Sequence, residues 1–552
     1  MKNSYLVFAF LLLFLATSSS AQTIPVGTPV LEEVLRRRQI AGEGDSLPSF
    51  AVRPLSFPVA AYDTLLASLA PHRRRLAPVT FAGGRGVARL LPVTLTQQYN
   101  SHHPYGWNDG SMIPARGYQN QLSMGVAARL GFVSVQLQPE LVVAGNRNFS
   151  TFPSSHTDEM WYSYYTQVQN RIDHPEKFGS GSYSRLFPGQ SSVRLHVKKL
   201  SAGLSTENLW WGPGIRNSLL MSNTAPGFPH LTFNTSAPVL SAVGAFEWQV
   251  VSGLLANSGL LPDDTSRRYT GVPLYAPKQE EERYLNGMIL TWQPKWTKGL
   301  YLGFSRVLYL YRSDIQGIGG YLPVVAKFFK DNAANEDDLK RDQLLSVFLR
   351  LVLPRDRAEV YAEYGRNDHS ANSRDLLLEP EHARGYILGG RKLFPAGKGK
   401  DLELFIELTQ LQNPPTARFR AVPTWYVHHQ VRHGYTHRGQ VLGAGIGPGS
   451  NSQTIGLSWL HGLDSWNFSL ERVVRNNDLY QYAVVPDLSY DGHWVDVSAN
   501  ARKNWVRQNL VYSANLSLVR SYNYQWRNNH SPADGKRDVN NLHARFSVSY
   551  LF

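Results

Sequence analysis

The sequence predicts an all-β fold: a transmembrane antiparallel β-barrel of about 18 strands behind a small N-terminal helical periplasmic segment. Three observations predict it. At the C-terminus, Leu542, Ala544, Phe546, Val548, Tyr550 and Phe552 alternate with Asn541, His543, Arg545, Ser547 and Ser549. Period two gives a strand one apolar and one polar face, and a last strand ending on an aromatic is how outer-membrane barrels close. At the N-terminus, Lys2 precedes an apolar run from Tyr5 to Ala16 and a small-residue stretch from Thr17 to Ala21. That run is too short to span a membrane and reads as a secretory signal, residues 1–21, cleaved after Ala21. Third, short and long connections alternate between the strand-like segments, as in outer-membrane barrels.

Elsewhere no segment stays apolar for about 18 residues, so a membrane can hold this chain only through a closed barrel. A mean hydropathy of −0.30 suits that, because half of each strand faces the lumen. Aromatics, 12% of the chain, are enough for two interfacial girdles. The absence of cysteine removes disulfides and thiol chemistry, and a lipid anchor at the cleavage site. The net charge of +14 implies an anionic partner. Outer-membrane lipid, lipopolysaccharide and an acidic glycan fit; export to the surface removes nucleic acid.

The mature chain divides into a helical periplasmic segment, 22–85, and the barrel, 86–552. In the first part Val30, Val34 and Leu35 have helical spacing, and a second short helix is expected from Pro58 to Leu69. Within the barrel the fifth strand is expected over Ala202–Trp210, the sixth over Pro238–Val243 and the seventeenth over Asn509–Trp526. Leu402, Leu404, Ile406 and Leu408 should face lipid, against Asp401, Glu403 and Glu407 inside. Glu140, Arg350, Glu359, Glu363 and Arg545 also fall on inward faces; a wide channel would hydrate these charges, and a filled one would have to pair them. Short turns belong in the periplasm and long loops outside, where loops of this length pack together.

Two stretches are more specific than the alternation. One reads Glu207-Asn208-Leu209-Trp210-Trp211-Gly212-Pro213-Gly214, then Asn217-Ser218-Leu219-Leu220-Met221-Ser222-Asn223-Thr224-Ala225-Pro226-Gly227-Phe228-Pro229-His230. The other runs from His103-Pro104-Tyr105-Gly106-Trp107-Asn108-Asp109-Gly110 through Arg116-Gly117. Together they resemble the Wzi capsule assembly family, which carries W-G-P-G followed by S-L-[LIM]-[LM]-S-N-x-A-x-x-F-P, and a similar first outer loop. The resemblance covers the mature chain in architecture. It implies an outer-membrane lectin, not an enzyme, that attaches and organises exported capsular or extracellular polysaccharide at the cell surface. The polysaccharide export machinery is a further candidate partner. No cofactor is implied.

A glycan site needs aromatic faces for sugar rings and planar polar groups for hydroxyls. Tyr105, Trp107, Asn108, Asp109 and Arg116 offer both in the first loop; Trp210, Trp211, Arg216, Asn217 and Asn223 do so in the third. Trp161, Tyr162, Tyr164 and Tyr165 add rings in the second. A structural reading competes with each. Trp210 and Trp211 suit a girdle or a loop plug, Gly212-Pro213-Gly214 a turn, and Asn108-Asp109-Gly110 a turn before a ligand contact.

Other signals are weaker. His428, His429, His433 and His437 share one loop but lack an adjacent carboxylate and a helix, so no metal site is assigned. The glycine run Gly443–Gly447 lacks a βαβ context, and Asp337-Asp338 lacks a calcium-loop pattern. A porin-like diffusion channel is the alternative function. A surface enzyme would need a fixed Ser/His or Asp/His constellation, and no motif supplies one.

Overall fold

The structure is a computed structural model and describes residues 22–28, 30–57, 76–322, 324, 340–367, 373–418, 420, 422–481, 492–527 and 536–552. The signal segment, the second expected helix and Asp337-Asp338 lie outside them. No helix among the described residues is long and apolar enough to cross a membrane.

Eighteen antiparallel strands close a single sheet. They are β1 (Gly86–Asn100), β2 (Gly117–Leu130), β3 (Val133–Leu137 and Glu140–Ala144), β4 (Tyr183–Phe187 and Ser192–Val197), β5 (Leu200–Ser205) and β6 (His230–Thr235 and Val239–Ser241). There follow β7 (Gly244–Leu255), β8 (Arg283–Pro294), β9 (Leu300–Tyr311), β10 (Arg341–Leu353), β11 (Ala358–Asn367) and β12 (Arg384–Pro395). The last six are β13 (Lys400–Gln410), β14 (Asn451–His461), β15 (Asp464–Val474), β16 (Val495–Arg507), β17 (Leu510–Tyr522) and β18 (Val539–Tyr550). Closure is made by β18 on β1, from His543 opposite Asn100 to Tyr550 opposite Val93. A short strand, Val79–Phe81, folds back on the start of β1.

The predicted faces hold. On β13, Leu404 and Ile406 are exposed to the outside while Glu403 and Glu407 are buried within. The wall differs from the reading of the sequence at several strands, including the fourth, which begins at Tyr183 rather than Ser191. The fifth leaves the wall after Ser205, and Trp210–Trp211 instead pair with Val52–Arg53 inside the barrel. The sixth begins at His230, not Pro238, with Leu231 and Phe233 facing out; its break around Pro238 hid the first half. The seventeenth stops at Tyr522, and Tyr524–Trp526 form a 3-10 turn.

The helix expected around Val34 is α1, Leu31–Ile40. Acidic Glu32 and Glu33 open it, basic Arg37 and Arg38 close it, and Gly42 beyond it takes a left-handed φ of +77°. It lies within the short-connection mouth of the barrel. Val30, Leu31 and Val34 pack on Leu463, Val511 and Leu551, and Ile40 packs on Tyr301, Val352, Leu393 and Leu460. From the other mouth the long connections fold inward, giving the lumen an apolar core around Trp211, Leu219, Met221, Trp425, Tyr426 and Tyr435.

Candidate functional site

The interior is built on charged wall residues, and the plug pairs with several of them. Arg36 of α1 lies 2.9 Å from Glu359 of β11, which Arg350 of β10 also contacts at 2.6 Å. Arg37 contacts Glu403 of β13 at 2.8 Å, and Arg502 of β16 contacts Glu33 at 2.8 Å. Of the two outcomes the sequence left open for the inward charges, these pairs show the filled barrel. Pairing is what makes such burial tolerable.

The third long connection, 206–229, is clamped by one carboxylate. Glu407 accepts backbone N–H bonds from Ile215 (2.7 Å), Arg216 (3.0 Å) and Asn217 (2.9 Å), and the Tyr361 hydroxyl at 2.7 Å. The side chain of Arg216 makes a forked pair with Glu471 of β15, at 3.0 and 2.9 Å from one guanidinium nitrogen. Burial alone would lower the Arg216 pKa, but the Glu471 carboxylate outweighs it and holds the guanidinium above its ordinary value. Trp211 donates its indole N–H to Gln249 at 2.8 Å, and Arg53 lies 4.5 Å from the Trp210 ring centre. Gly212 has φ +118°, and a Cβ there would come within 2.7 Å of Glu363 Oε2, so only glycine passes this point without strain.

The first long connection, 101–116, joins the third. The Trp107 indole and the Asn108 amide both donate to the Arg216 carbonyl, at 3.3 and 2.8 Å. Asn223 donates to the Asn108 carbonyl at 3.0 Å and accepts from Gly110 N at 2.7 Å. Asn108 and Gly110 both have left-handed φ, +61° and +62°, the turn expected of that tripeptide. Asp109 pairs with Arg545 of β18, Tyr105 donates to Ser498 at 3.0 Å, and Asn217 donates to Thr409 at 3.1 Å. Arg116 donates to the Ser101 and Asn148 carbonyls and holds the first and second connections together.

The structure therefore brings nine of the ten candidate glycan residues into one interior joint, Arg116 lying at its edge. There they pack against one another and against the wall. Trp211 is 0% and Trp210 3% exposed, so both lie inside the barrel and neither in an aromatic girdle. The amide N–H groups of Asn217 and Asn223 donate to the protein itself. The joint borders a polar cavity of ≈ 330 Å³ between the plug and the wall of β15–β18, lined by Arg502, Asn500, Asn515, Ser517 and Arg545 among others.

The second long connection, 145–182, behaves differently. It forms α2, Asp158–Tyr164, capped by Thr157, which accepts from Met160 N. Trp161, Tyr164 and Tyr165 pack inward with Phe152, Leu274, Tyr480 and Trp526. Tyr162, on the opposite face, remains 46% exposed, with its ring centre 5.0 Å from that of Tyr269. Sequence reading placed Tyr162 in a loop but missed Tyr269, which arrives from the fourth connection, 256–282. The histidines scatter into separate roles: His428 Nδ1 accepts from Val431 N, His433 meets the Tyr311 hydroxyl, and His437 Nδ1 accepts from Ala256 N. The glycine run is a packing surface: a Cβ on Gly445 would lie 2.4 Å from Trp107 Cβ.

A closed barrel with a helix in one mouth and folded connections in the other defines a plugged outer-membrane β-barrel. A family model for the capsule assembly protein Wzi matches residues 107–551, and the chain belongs to that family. Among solved structures it is similar to Wzi of Escherichia coli, described as an outer-membrane protein involved in group 1 capsule assembly and a carbohydrate-binding β-barrel. The two are 12% identical, with a TM-score of 0.59 over 97% of this chain and 100% of that one. OccAB2 of Acinetobacter baumannii (10% identity, TM-score 0.40, 83% and 97% coverage) and a BenF-like porin of Pseudomonas fluorescens (9%, 0.37, 84% and 98%) are more distant. No curated protein sequence matches the chain.

Proposed function

We propose that this protein is a non-enzymatic surface lectin that holds exported capsular or extracellular polysaccharide and helps organise it on the cell. Membership of the capsule assembly family carries the reading. The long connections face outward, the short ones and the mouth holding α1 face the periplasm, and residues 1–21 direct export. The net charge of +14 favours acidic sugar repeats or lipopolysaccharide. The family-motif residues act as the plug, and glycan stacks instead on the Tyr162–Tyr269 pair, beside exposed Arg268 and the carboxylates of Asp158 and Glu159. Single contacts are weak, and a polymer bridging many barrels gains avidity. The test is deletion of the gene in a capsulated host, followed by measurement of cell-associated and shed polysaccharide. Shedding should rise; unchanged retention would overturn the lectin reading.

A further inference from the structure

The outer wall carries a concavity that the lectin reading does not use. On β16, β17 and β18 the outward residues Ala501, Ala514 and Ala544 replace the Leu, Phe and Trp that cover the wall elsewhere, leaving a trough of ≈ 550 Å³. In register terms, Trp466 lies opposite Lys503, Lys503 opposite Ala514, and Leu516 opposite Ala544; Ala544 then faces Tyr99, and Tyr99 faces Tyr118. The trough so crosses three strand spacings, about 14 Å, from Lys503 on β16 to Tyr99 on β1, with Trp466 and Tyr118 on the strands just beyond its two ends.

Its chemistry is two-part. The floor and rim are apolar side chains on the face that meets hydrocarbon. At one end stands Lys503, its ammonium 4.6 Å from the Trp466 ring centre and 5.8 Å from that of Trp505. No carboxylate lines the trough or pairs with Lys503 among the described residues. The other cation in the lining, Arg545, belongs to an inward position and is bound by Asp109. An ammonium held over tryptophans at the rim of an apolar trough has its charge available to an anion at the headgroup level. Lys503 lies near the short connection between β16 and β17, so the anion comes from the leaflet on that side.

We propose that this trough is a binding site for one anionic glycerophospholipid, its acyl chain lying over Ala501, Ala514 and Ala544 and its phosphate on Lys503. The site is independent of the glycan platform, which lies on the long connections.

The full-length barrel, purified in non-ionic detergent, is examined by native mass spectrometry with added phosphatidylglycerol, phosphatidylcholine or lipid A. Wild type should retain one phosphatidylglycerol in preference to phosphatidylcholine. Lys503→Gln should cut phosphatidylglycerol retention roughly tenfold, as loss of one charge-assisted contact does, and abolish the preference. Ala544→Leu, which fills the trough and keeps Lys503, should reduce retention of both phospholipids. Heat-modifiable gel migration confirms that each variant is a folded barrel. Retention unchanged in both folded variants, preferential capture of lipid A, or a dimer that Ala544→Leu dissolves would each overturn the proposal. Should Ala544→Leu not fold, Lys503→Gln alone decides it.

Discussion

The guanidinium of Arg216 stands 4.7 Å from the centre of the Trp107 ring while its nitrogens hold Glu471. One side chain from the third connection thereby ties the first connection to β15. Its loss should loosen the whole plug. Arg216→Ala strands a carboxylate that is 1% exposed; breaking a buried pair costs about 3–5 kcal/mol, reduced here to about 2 kcal/mol because the arginine side chain keeps 36% exposure. Thermal loss of heat-modifiable migration should shift down accordingly. A melt matching wild type would show that the joint does not hold the plug.

Trp211 and Tyr162 should separate structure from binding. Trp211→Ala empties the centre of the lumenal core and should cost about 3–5 kcal/mol. Tyr162→Ala removes a half-exposed ring and should change stability by no more than about 0.5 kcal/mol while weakening polysaccharide binding in a pull-down. If Tyr162→Ala binds as wild type, sugar does not stack there.

Gly445 sets how closely the 411–450 connection approaches Trp107. Gly445→Ala inserts a methyl where 2.4 Å is available and should cost about 1–3 kcal/mol, read as faster proteolysis within that connection. Cleavage at the wild-type rate would mean the two loops are not in contact.

The ion pairs of α1 predict a closed pore. The wild-type protein should give little steady current in planar bilayers. Arg36→Ala with Arg37→Ala removes the links to Glu359 and Glu403 and should raise the frequency of conducting openings. Large steady currents from wild type would support a diffusion channel instead.

Asp478 makes the long-connection end sensitive to pH. Burial pushes its carboxyl up to about 7, against the bond from Asn413 N at 2.9 Å. A raised pKa means the folded state binds this proton more tightly than the unfolded one. Stability from this group is therefore fully present below the unfolded carboxyl value, near 4, and is lost as pH rises through about 7. Hydrogen exchange around 411–418 and 477–481 should be slower at pH 5 than at pH 8, and Asp478→Asn should remove the difference. Exchange that is independent of this pH change in wild type, once corrected for intrinsic rates, would refute it.

Much of the barrel was legible because the lipid-facing rows of β13 and β18 repeat every second residue, and a slip by one would expose every polar side chain to hydrocarbon. Where that constraint lapses, reading failed. Trp210 and Trp211 continue an alternation that looks like wall, yet the chain has already turned inward at Glu207, which binds Arg194 at 2.7 Å. Tyr269 left no local trace, since its partner Tyr162 lies more than a hundred residues earlier.

Most of the strands, the residues that face lipid, the inward charges and the two family motifs can be read from the chain alone, because each is written in local period or composition. That α1 enters the barrel, that Glu407 grips the 215–217 backbone and that the motif aromatics are core emerges only in the folded molecule. Those outcomes depend on which distant carboxylate meets which guanidinium inside a closed wall. Such pairings are fixed by the register and closure of all the strands together, and no short stretch of chain encodes them.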